Sequence, residues 1–385
     1  MLEFPKKLLQ KLKARKVENT LRQLPQNNGL VDFSSNDYLG FAREESITGL
    51  ADAYLKKHAL HKNGATGSRL LSGNHPLYQE LETMLTNFHG ASEALVFNSG
   101  YDANVGFFSS VPQRDDFVLY DEYIHASIRD GIQMGRAKSH KFRHNDLNDL
   151  KGYIERIRDN GQGNDIYVVT ESVFSMDGDT PDLRAMADLC HGNNLYLIVD
   201  EAHASGIFGN GKGLICEEGL ESYVFARIVT FGKAFGCHGA AILGSKDLKS
   251  FLVNFARSFI YTTAMPPHTV ATVLASYGFL VSAAGMDKCE RLKANLQFFK
   301  DRLKVFGITE HFIASDTAIQ SAIRSGNEKV KTVSYKLREL GFDVKPILSP
   351  TVPQGQERLR FCLHSYNTKK EMDLVLKYLK LFLTE

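Results

Sequence analysis

The sequence predicts an α/β protein in which helices cover both faces of a mostly parallel central sheet, followed by a smaller α+β domain. Between about residues 60 and 260, short apolar runs alternate with stretches of helical periodicity. Near-continuous apolar runs are typical of parallel strands that are buried on both faces. After about residue 266, long helical stretches give way to a smaller mixture of helices and strands.

Six apolar runs predict the strands of the central sheet. Each run is short and rich in the branched and aromatic side chains that favour strands. The runs are EALVFN (93–98), DFVLY (116–120), DIYVVT (165–170), LYLIVD (195–200), ARIVTF (226–231) and AAILGS (240–245).

Helices are predicted from the spacing of apolar residues between and after these strands. The segment 77–90 has its apolar residues on one helical face, with Pro76 suited to the first turn and Gly90 to the end. A second helix is predicted at 183–194, and a long helical stretch continues to about residue 306. The rest of the chain is predicted to contain the segment AIQSAIR, a helix at 327–340, a strand at 358–363 and a helix at 369–383.

These patterns divide the chain into an N-terminal helical arm (1–45), a large α/β domain (46–270) and a small C-terminal α+β domain (271–385). Residues 1–16 carry six basic side chains and one acid. We expect this amphipathic helix to pack on the body of the protein or on a partner subunit. Its apolar face consists of Phe4, Leu8, Leu9 and Leu12.

Composition argues against several classes of protein. The 385 residues are 43% hydrophobic, and 46 basic side chains against 44 acidic ones give a net charge of +2. Nucleic-acid-binding proteins usually have a clear basic excess, and no apolar run approaches the ~20 residues that span a bilayer. Five cysteines without a CxxC pair argue against a zinc site and against disulfides, and they favour a cytoplasmic protein.

Polar side chains follow the predicted strands at the points where the strands end. In an open parallel sheet, ligands bind at the carboxyl ends of the strands. We therefore expect these side chains to share one site. They are His125, Ser175, Asp200, His203, Thr230 and Lys233, together with the main chain at Gly100.

This set of side chains matches the needs of pyridoxal phosphate. A lysine amine must form a Schiff base with the aldehyde of the cofactor. A carboxylate must face the pyridine nitrogen and keep it protonated, so that the ring accepts electrons. An imidazole or aromatic ring stacks on the pyridine, while amides at a helix start and nearby hydroxyls hold the phosphate.

Each of these residues also has an ordinary structural explanation. A lysine after a strand is usually solvated, and an aspartate at a strand end is often a helix cap. Lys233, however, lies in the small, apolar setting TFGKAFG, and Asp200 directly follows an apolar run. These settings favour the functional interpretation for both residues, whereas Ser175 and Thr230 fit turn or cap roles as well as ligand roles.

The blocks around these residues resemble the α-oxoamine synthases, a family of pyridoxal-phosphate enzymes with fold type I, the aspartate-aminotransferase fold. The resemblance extends from about residue 20 to the C-terminus and implies a decarboxylative condensation of an amino acid with an acyl thioester. The blocks are SSNDYLG (34–40), SRLLSGNHPLYQELE (68–82), TESVFSMDGD (170–179), VDEAHASG (199–206) and VTFGKAFGCHGAAILGS (229–245).

Four reactions compete within the family. They join alanine to a pimeloyl thioester in biotin synthesis, glycine to acetyl-CoA, glycine to succinyl-CoA, or serine to palmitoyl-CoA. The block at 68–82, the TLRQL of residues 20–24 and the short chain favour the first reaction. Residues 63–67, NGATG, depart from the glycine-serine-glycine-glycine of the family, which is consistent with a different acyl pocket.

The resemblance implies roles for residues around the cofactor ring. Lys233 resembles the Schiff-base lysine, Asp200 the partner of the pyridinium nitrogen, and His125 the imidazole that stacks on the ring. His203, with Ser175 beside it, resembles the residue that bonds the phenolic oxygen of the cofactor.

The resemblance also implies contacts to the phosphate and to the substrates. Gly100 and Tyr101 match the phosphate-binding helix start, with Thr230 as a further contact. Thr262 and Thr263 resemble a pair that reaches the phosphate of the neighbouring subunit, which implies a homodimer with shared active sites. The predicted substrate contacts are Asn36 and Arg360, for the amino-acid carboxylate, and Arg22, for the acyl substrate.

Two rival interpretations remain. An aminotransferase would use the same cofactor without an acyl-thioester site, and the SMDGD and TFGKAFG segments argue against it. A non-catalytic subunit that supports a partner typically lacks the lysine, which this chain has at Lys233.

Overall fold

The computed structural model describes residues 3–22, 24, 29–159 and 164–384. The chain forms two compact units. The smaller unit contains Met1–Ser35, Met176–Gly178 and Leu292–Glu385, and the larger unit contains Asn36–Ser175 and Asp179–Arg291.

The described residues form twelve strands. They are β1 (Val31–Asp32), β2 (Glu93–Phe97), β3 (Phe117–Asp121), β4 (Lys138–Phe142), β5 (Ile166–Glu171), β6 (Tyr196–Asp200), β7 (Ala226–Thr230), β8 (Ala240–Gly244), β9 (Ile319–Ile323), β10 (Phe342–Asp343), β11 (Lys345–Ile347) and β12 (Arg358–Cys362).

Fourteen α-helices are found in the same part of the chain. They are α1 (Lys6–Val17), α2 (Glu45–Lys57), α3 (Pro76–His89), α4 (Gly100–Ser110), α5 (Ala126–Met134), α6 (Leu147–Asp159), α7 (Leu183–Gly192), α8 (Leu214–Glu217), α9 (Lys246–Phe255), α10 (Arg257–Ile260), α11 (Pro267–Leu280), α12 (Ala283–Phe306), α13 (Asn327–Glu339) and α14 (Lys369–Thr384).

A seven-stranded sheet organises the larger unit, in the order β2-β8-β7-β6-β5-β3-β4. Strand β8 runs antiparallel to both of its neighbours, and the other pairings are parallel. The strands β5, β6 and β7 are almost wholly buried, as expected for a sheet covered on both faces. The mostly parallel α/β fold class predicted from the sequence is confirmed.

The smaller unit contains two small sheets. Strands β9, β12 and β11 form an antiparallel sheet with β12 at its centre. Strand β1, from the N-terminal segment, pairs in parallel with β10. This pairing joins residues near the N-terminus to the C-terminal part of the chain.

The compact units have different bounds from the predicted domains 1–45, 46–270 and 271–385. Residues up to Ser35 belong to the smaller unit, because β1 pairs with β10 there. Helix α11 belongs to the larger unit, where it packs against α2. Both contacts join segments that are far apart in the sequence, so local composition does not reveal them.

Two local predictions differ from the structure. The long helical stretch that ends near residue 306 is broken between α11 and α12 by Val281 and Ser282, and Ser282 Oγ accepts a hydrogen bond from the Gly285 amide at 3.2 Å. Strand β4 has no predicted counterpart, because four of its five residues are exposed and its sequence, KSHKF, lacks an apolar run.

The predicted N-terminal helix is present as α1, and none of its residues is buried by the described chain. Its apolar residues Leu8, Leu9 and Leu12 remain 40–47% exposed. The expectation that this face packs on a partner subunit therefore stays a prediction.

No single helix in the described residues is long and apolar enough to cross a membrane, although α11 and α12 pass that test when they are combined as a bent pair.

A buried ion pair holds the centre of the large sheet. Arg227 on β7 donates from Nε to Glu201 Oε2 at 2.8 Å, directly beyond the end of β6. The same guanidinium donates to the carbonyls of His89 and Lys212. Glu201 accepts a further bond from the Ile215 amide at 3.0 Å, so most of the polar groups of the pair are satisfied inside the protein.

We predict that Arg227→Met lowers the free energy of unfolding by about 3–5 kcal/mol, because the Glu201 carboxylate is left buried without its cation. Urea unfolding followed by circular dichroism measures this loss. The double variant Arg227→Met/Glu201→Leu recovers much of it, since no unpaired charge remains. Arg291→Met, which removes a surface pair with Asp287, is the matched control and leaves the midpoint nearly unchanged. A loss below about 1 kcal/mol in the single variant contradicts this interpretation.

Candidate active site

The carboxyl ends of adjacent strands bring the predicted site residues together in the larger unit. In the sheet register, Glu171 at the end of β5 lies beside Asp200 at the end of β6, and Asp200 lies beside Ile228 on β7. The loops after β3, β5, β6 and β7 therefore leave the sheet at one edge. This is the position at which ligands bind in parallel sheets.

Lys233 lies in the turn between β7 and β8, between the buried side chains of Phe231 and Phe235. Its Nζ is 2.9 Å from Nε2 of His203. The Cys237 amide closes the turn by donating to the Phe231 carbonyl at 2.7 Å. The sequence thus fixes the position of the amine while leaving the side chain partly accessible.

The tight turn after Lys233 requires glycine at position 236. Gly236 has φ +63°, and a Cβ there would collide with the main chain of Ala42. The flanking ring of Phe235 stacks on Tyr277 of α11 at 4.1 Å between centroids. These contacts hold the lysine turn against the helices behind the sheet.

His203 connects Lys233 to the segment that precedes α2. Its Nδ1 is 2.7 Å from the hydroxyl of Tyr38, which in turn donates to Asn36 Oδ1 at 3.1 Å. His203 is 5% exposed and Tyr38 is 1% exposed, so these contacts are shielded from water. A hydrogen-bonded chain thus joins the predicted substrate residue Asn36 to the predicted Schiff-base lysine.

Asp200 is buried and has its carboxylate fixed by two donors. Oδ1 accepts from the Ala202 amide at 2.9 Å, and Oδ2 accepts from Asn104 Nδ2 at 2.9 Å. Hydrogen bonds to a carboxylate stabilise its ionised form. The residue is therefore suited to face a protonated ring nitrogen.

His125 caps α5 and presents an exposed ring. Its Nδ1 lies 2.7 Å from Ser127 Oγ and accepts from the Ser127 amide at 3.2 Å. Its main-chain N–H donates to Glu171 Oε1 at 2.5 Å. Partial desolvation lowers the pKa of the ring, opposed by the nearby carboxylate of Asp200. The imidazole is thus held through Nδ1, and the rest of the ring remains accessible to a ligand.

The start of α4 forms the predicted phosphate site. Ser99 caps the helix by accepting the Asp102 amide at 3.0 Å, and a Cβ at Gly100 would lie 2.8 Å from Thr230 Cγ2. Glycine at this position therefore leaves room beside Thr230 at a helix start, where main-chain amides attract anions. Tyr101 is half exposed, and its hydroxyl donates to Asp130 Oδ2 at 2.5 Å.

The remaining predicted cofactor contacts are placed as follows. Asn98 Nδ2 donates to Thr262 Oγ1 at 3.2 Å and to the Thr263 carbonyl at 2.6 Å, just before the start of α4. Ser175 is half-buried in the loop after β5. The roles predicted for these three residues stay predictions.

The other two predicted substrate residues lie in the smaller unit. Arg360 is buried on the central strand β12, where its Nη1 donates to Cys362 Sγ at 2.8 Å. Arg22 follows α1 and is exposed. Their roles toward the amino acid and the acyl substrate also stay predictions.

Several residues that contact the predicted site residues were not identified from the sequence, and four of them surround His125, Asp200 and His203. Tyr38 lies within the SSNDYLG block, and Ser127 is two residues after His125, so both had a local signal. Glu171 is the last residue of β5, and Asn104 is one turn into α4. The contacts of these last two depend on pairing between distant segments.

The donor set fits pyridoxal phosphate. Lys233 would hold the aldehyde, Asp200 the ring nitrogen, and the start of α4 with Thr230 the phosphate. The space kept free beside Thr230 by the absent Cβ of Gly100 is consistent with a bound anion. The exposed ring of His125 is available for stacking.

Comparison with known proteins supports the same conclusion. Residues 28–379 match the sequence model of aminotransferase class I and II. The 8-amino-7-oxononanoate synthase of Emericella nidulans is 39% identical over 370 residues, covering 90% of this chain and 88% of that protein. The chain belongs to the aminotransferase class I and II family and, within it, to the α-oxoamine synthases.

Solved structures of two α-oxoamine synthases are also similar to this chain in fold. A serine palmitoyltransferase from S. paucimobilis, with a PLP–myriocin adduct bound, has a TM-score of 0.87 at 27% identity, covering 98% of this chain and 96% of that one. The 8-amino-7-oxononanoate synthase of Francisella tularensis has a TM-score of 0.76 at 27% identity, covering 93% and 99%. The family, the type I fold and the cofactor predicted from the sequence are confirmed.

We predict a pH-dependent effect of Glu171→Gln on stability. Burial and the neighbouring Asp200 carboxylate raise the pKa of Glu171. Between the pKa of the unfolded chain and that of the folded protein, folding takes up a proton, so wild-type stability falls as the pH rises. The stability of the glutamine variant does not fall in this way, because its side chain does not titrate. Its side-chain oxygen still accepts a hydrogen bond from the His125 amide. Its stability relative to wild type therefore increases from about pH 5 to about pH 7.5.

Thermal melts at the two pH values measure this difference. Glu155→Gln, at an exposed position on α6, is the control and shows no such trend. If the stability difference between Glu171→Gln and wild type is the same at both pH values, Glu171 is ionised in the folded protein and our assignment is wrong.

Proposed function

We propose that this enzyme condenses L-alanine with a pimeloyl thioester, carried by coenzyme A or by an acyl carrier protein, and releases 8-amino-7-oxononanoate, carbon dioxide and the free thiol. The reaction belongs to biotin synthesis. The observation that carries the proposal is the Lys233–His203 contact in the loops that follow β6 and β7, with Asp200 at the end of β6, in a chain 39% identical to an 8-amino-7-oxononanoate synthase.

Bound pyridoxal phosphate supplies an aldehyde that condenses with amines and a ring that accepts electrons. Lys233 would hold the aldehyde, and its free amine would take the proton from the substrate α-carbon. Asp200 would face the ring nitrogen and keep it protonated. His203 lies within hydrogen-bond distance of the amine and orients it.

The bond-forming step joins the α-carbon of alanine to the thioester carbonyl and expels the thiol. The resulting β-keto acid loses carbon dioxide, and a proton returns to the α-carbon. In this scheme His125 orients or protonates the keto-acid oxygen. Asn36 and Arg360 hold the carboxylate of the amino acid, and Arg22 contacts the acyl substrate.

Arg22 supports the choice of acyl group. A guanidinium can pair with the distal carboxylate of a pimeloyl chain, which a palmitoyl chain lacks. If an ester masks that carboxylate, the arginine instead contacts the phosphates of the carrier.

Serine palmitoyl transfer is the second candidate, because the S. paucimobilis enzyme superimposes with the higher TM-score of the two structures compared above. Glycine acetyl transfer is a further alternative within the family. A non-catalytic role is disfavoured by the presence of Lys233 in contact with His203.

The proposed enzyme is a cytoplasmic homodimer in which Thr262 and Thr263 serve the phosphate of the other subunit. Two exposed apolar side chains support the dimer. Tyr261, next to Thr262 in the sequence, is 72% exposed, and Leu71, which follows the Gly67 carbonyl that accepts the Ala264 amide, is 84% exposed. All five cysteines are free, which fits a reducing compartment.

We predict that L-alanine with the pimeloyl thioester gives the highest kcat/KM of all pairings. The assay follows thiol release from pimeloyl, acetyl, succinyl and palmitoyl thioesters, each with alanine, glycine or serine. One methyl group is worth only ~1–3 kcal/mol of discrimination, so some activity with glycine or serine is expected. If serine with palmitoyl wins by tenfold or more, the enzyme is a serine palmitoyltransferase. If glycine with the acetyl thioester gives the highest kcat/KM, the enzyme acts in threonine breakdown.

A paired variant tests the role of Arg22 in the same assay. Arg22→Ala raises KM for the pimeloyl thioester by about tenfold or more, the size expected for a lost charge-assisted hydrogen bond. KM for the palmitoyl thioester changes little. Arg15→Ala, at an exposed position on α1, is the control. An equal rise in KM for both thioesters assigns Arg22 to the carrier instead of the acyl chain, and no change in either KM removes Arg22 from the proposal.

We predict that the active species is a dimer in sedimentation velocity. Leu71→Asp weakens the dimer and the activity together, because it places a charge in the proposed interface. Val305→Asp changes a similarly exposed apolar residue on α12 and leaves both unchanged. A fully active monomer contradicts the shared active site.

A further inference from the structure

A buried hydrogen-bond chain connects Asp200 to His125 through two residues that have no role in the proposed mechanism. Asn104 Nδ2 donates to Asp200 Oδ2 at 2.9 Å and to Ser127 Oγ at 3.0 Å. Ser127 Oγ lies 2.7 Å from His125 Nδ1. Asn104 is 2% exposed and Ser127 is fully buried, so water does not compete for these bonds.

The protons of this chain can be assigned from its donors. The Ser127 amide, 3.2 Å from His125 Nδ1, can only donate, so Nδ1 must present its lone pair. The Ser127 hydroxyl therefore also donates to Nδ1, and its own lone pair accepts from Asn104. The second Nδ2 proton of Asn104 goes to Asp200.

The opposite orientation of Asn104 is excluded by Asp200. It would place the amide oxygen against the carboxylate, which can only accept while it is ionised. Asn104 therefore donates both of its amide protons, one to Asp200 and the other to Ser127. Ser127 in turn donates its hydroxyl proton to His125.

We propose that Asn104 and Ser127 are positioning residues that hold His125 as the neutral tautomer with its proton on Nε2. His125 then acts as a hydrogen-bond donor to a substrate oxygen rather than as a proton-transfer acid. This deepens the proposed function and rests on it for the identity of that oxygen, which we assign to the carbonyl derived from the thioester.

The charged surroundings of His125 do not favour either protonation state strongly. Carboxylates and cations face the ring or its main chain from its own helix and from the neighbouring strands and turns. These groups are Arg129, Asp130, Glu171, Asp200 and Lys233. Because positive and negative groups both surround the ring, their effects on its protonation oppose each other. The two hydrogen-bond donors at Nδ1 then determine which tautomer and protonation state the ring adopts.

The test is the titration of His125 in the full-length protein, without substrate, by long-range proton–nitrogen NMR with ¹⁵N-labelled histidine. The loss of one signal in His125→Gln assigns the resonances. Wild type shows the neutral form with the proton on Nε2 at pH 7. In Ser127→Ala the titration midpoint rises by about half a pH unit to one pH unit, because the lost donor stabilised only the neutral ring.

Matched variants separate this effect from a loss of structure. Ser127→Thr keeps the hydroxyl and restores the wild-type midpoint, whereas Ser127→Cys, a weaker donor, gives a smaller rise. Ser110→Ala removes a hydroxyl that bonds only to the backbone of α4 and changes nothing. If Ser127→Ala fails to fold, the cysteine variant carries the test.

Kinetics give an independent readout. Ser127→Ala lowers kcat about fivefold, the value of one neutral hydrogen bond, while KM for the amino acid changes little. A downward shift of the midpoint, or a proton found on Nδ1 in wild type, overturns the proposal. Because the titration uses no substrate, a wrong substrate assignment leaves its result unaffected.

Discussion

Two carboxyl groups lie side by side at the carboxyl ends of β5 and β6, and the arrangement of the site depends on accommodating both of them in the protein interior. The sheet register pairs Glu171 with Asp200, and both are buried. Two adjacent negative charges in a low-dielectric interior are unfavourable. Burial and Asp200 raise the pKa of Glu171. The Asp200 carboxylate, by contrast, accepts hydrogen bonds from the Ala202 amide and from the Asn104 side chain.

The two carboxyls consequently perform different tasks. Glu171 accepts the main-chain N–H of His125 and thereby places the imidazole at the start of α5. Asp200 is available for the ring nitrogen of the cofactor. The amine of Lys233 is held from the other direction by His203 and, through it, by Tyr38. The positions of His125, Asp200 and Lys233 thus all follow from the parallel register of β5 and β6 and from the turn after β7.

Much of this arrangement could be predicted from the sequence. The apolar runs located six of the seven strands of the large sheet to within one or two residues, and the residues after them include Lys233, Asp200, His203 and His125. The tertiary contacts could not be predicted. Nothing in the sequence distinguishes Asn104 from other polar helix residues, and only the packing of α4 against the large sheet places it beside Asp200. Strand β4 could not be predicted because it lies at an edge of the sheet and four of its five residues are exposed. It therefore lacks the apolar run by which a buried strand is recognised.

The proposed function depends above all on Lys233, which we propose holds the aldehyde of pyridoxal phosphate. Borohydride reduction of the holoenzyme followed by peptide mass analysis tests it most directly, because reduction makes the Schiff base permanent. We expect the mass of the reduced cofactor on the peptide that contains Lys233. Lys233→Ala, with an unchanged circular dichroism spectrum, should carry no label and lose at least 99% of its activity, since covalent catalysis is worth orders of magnitude. Labelling of another lysine, or an active Lys233→Ala variant, would contradict the account.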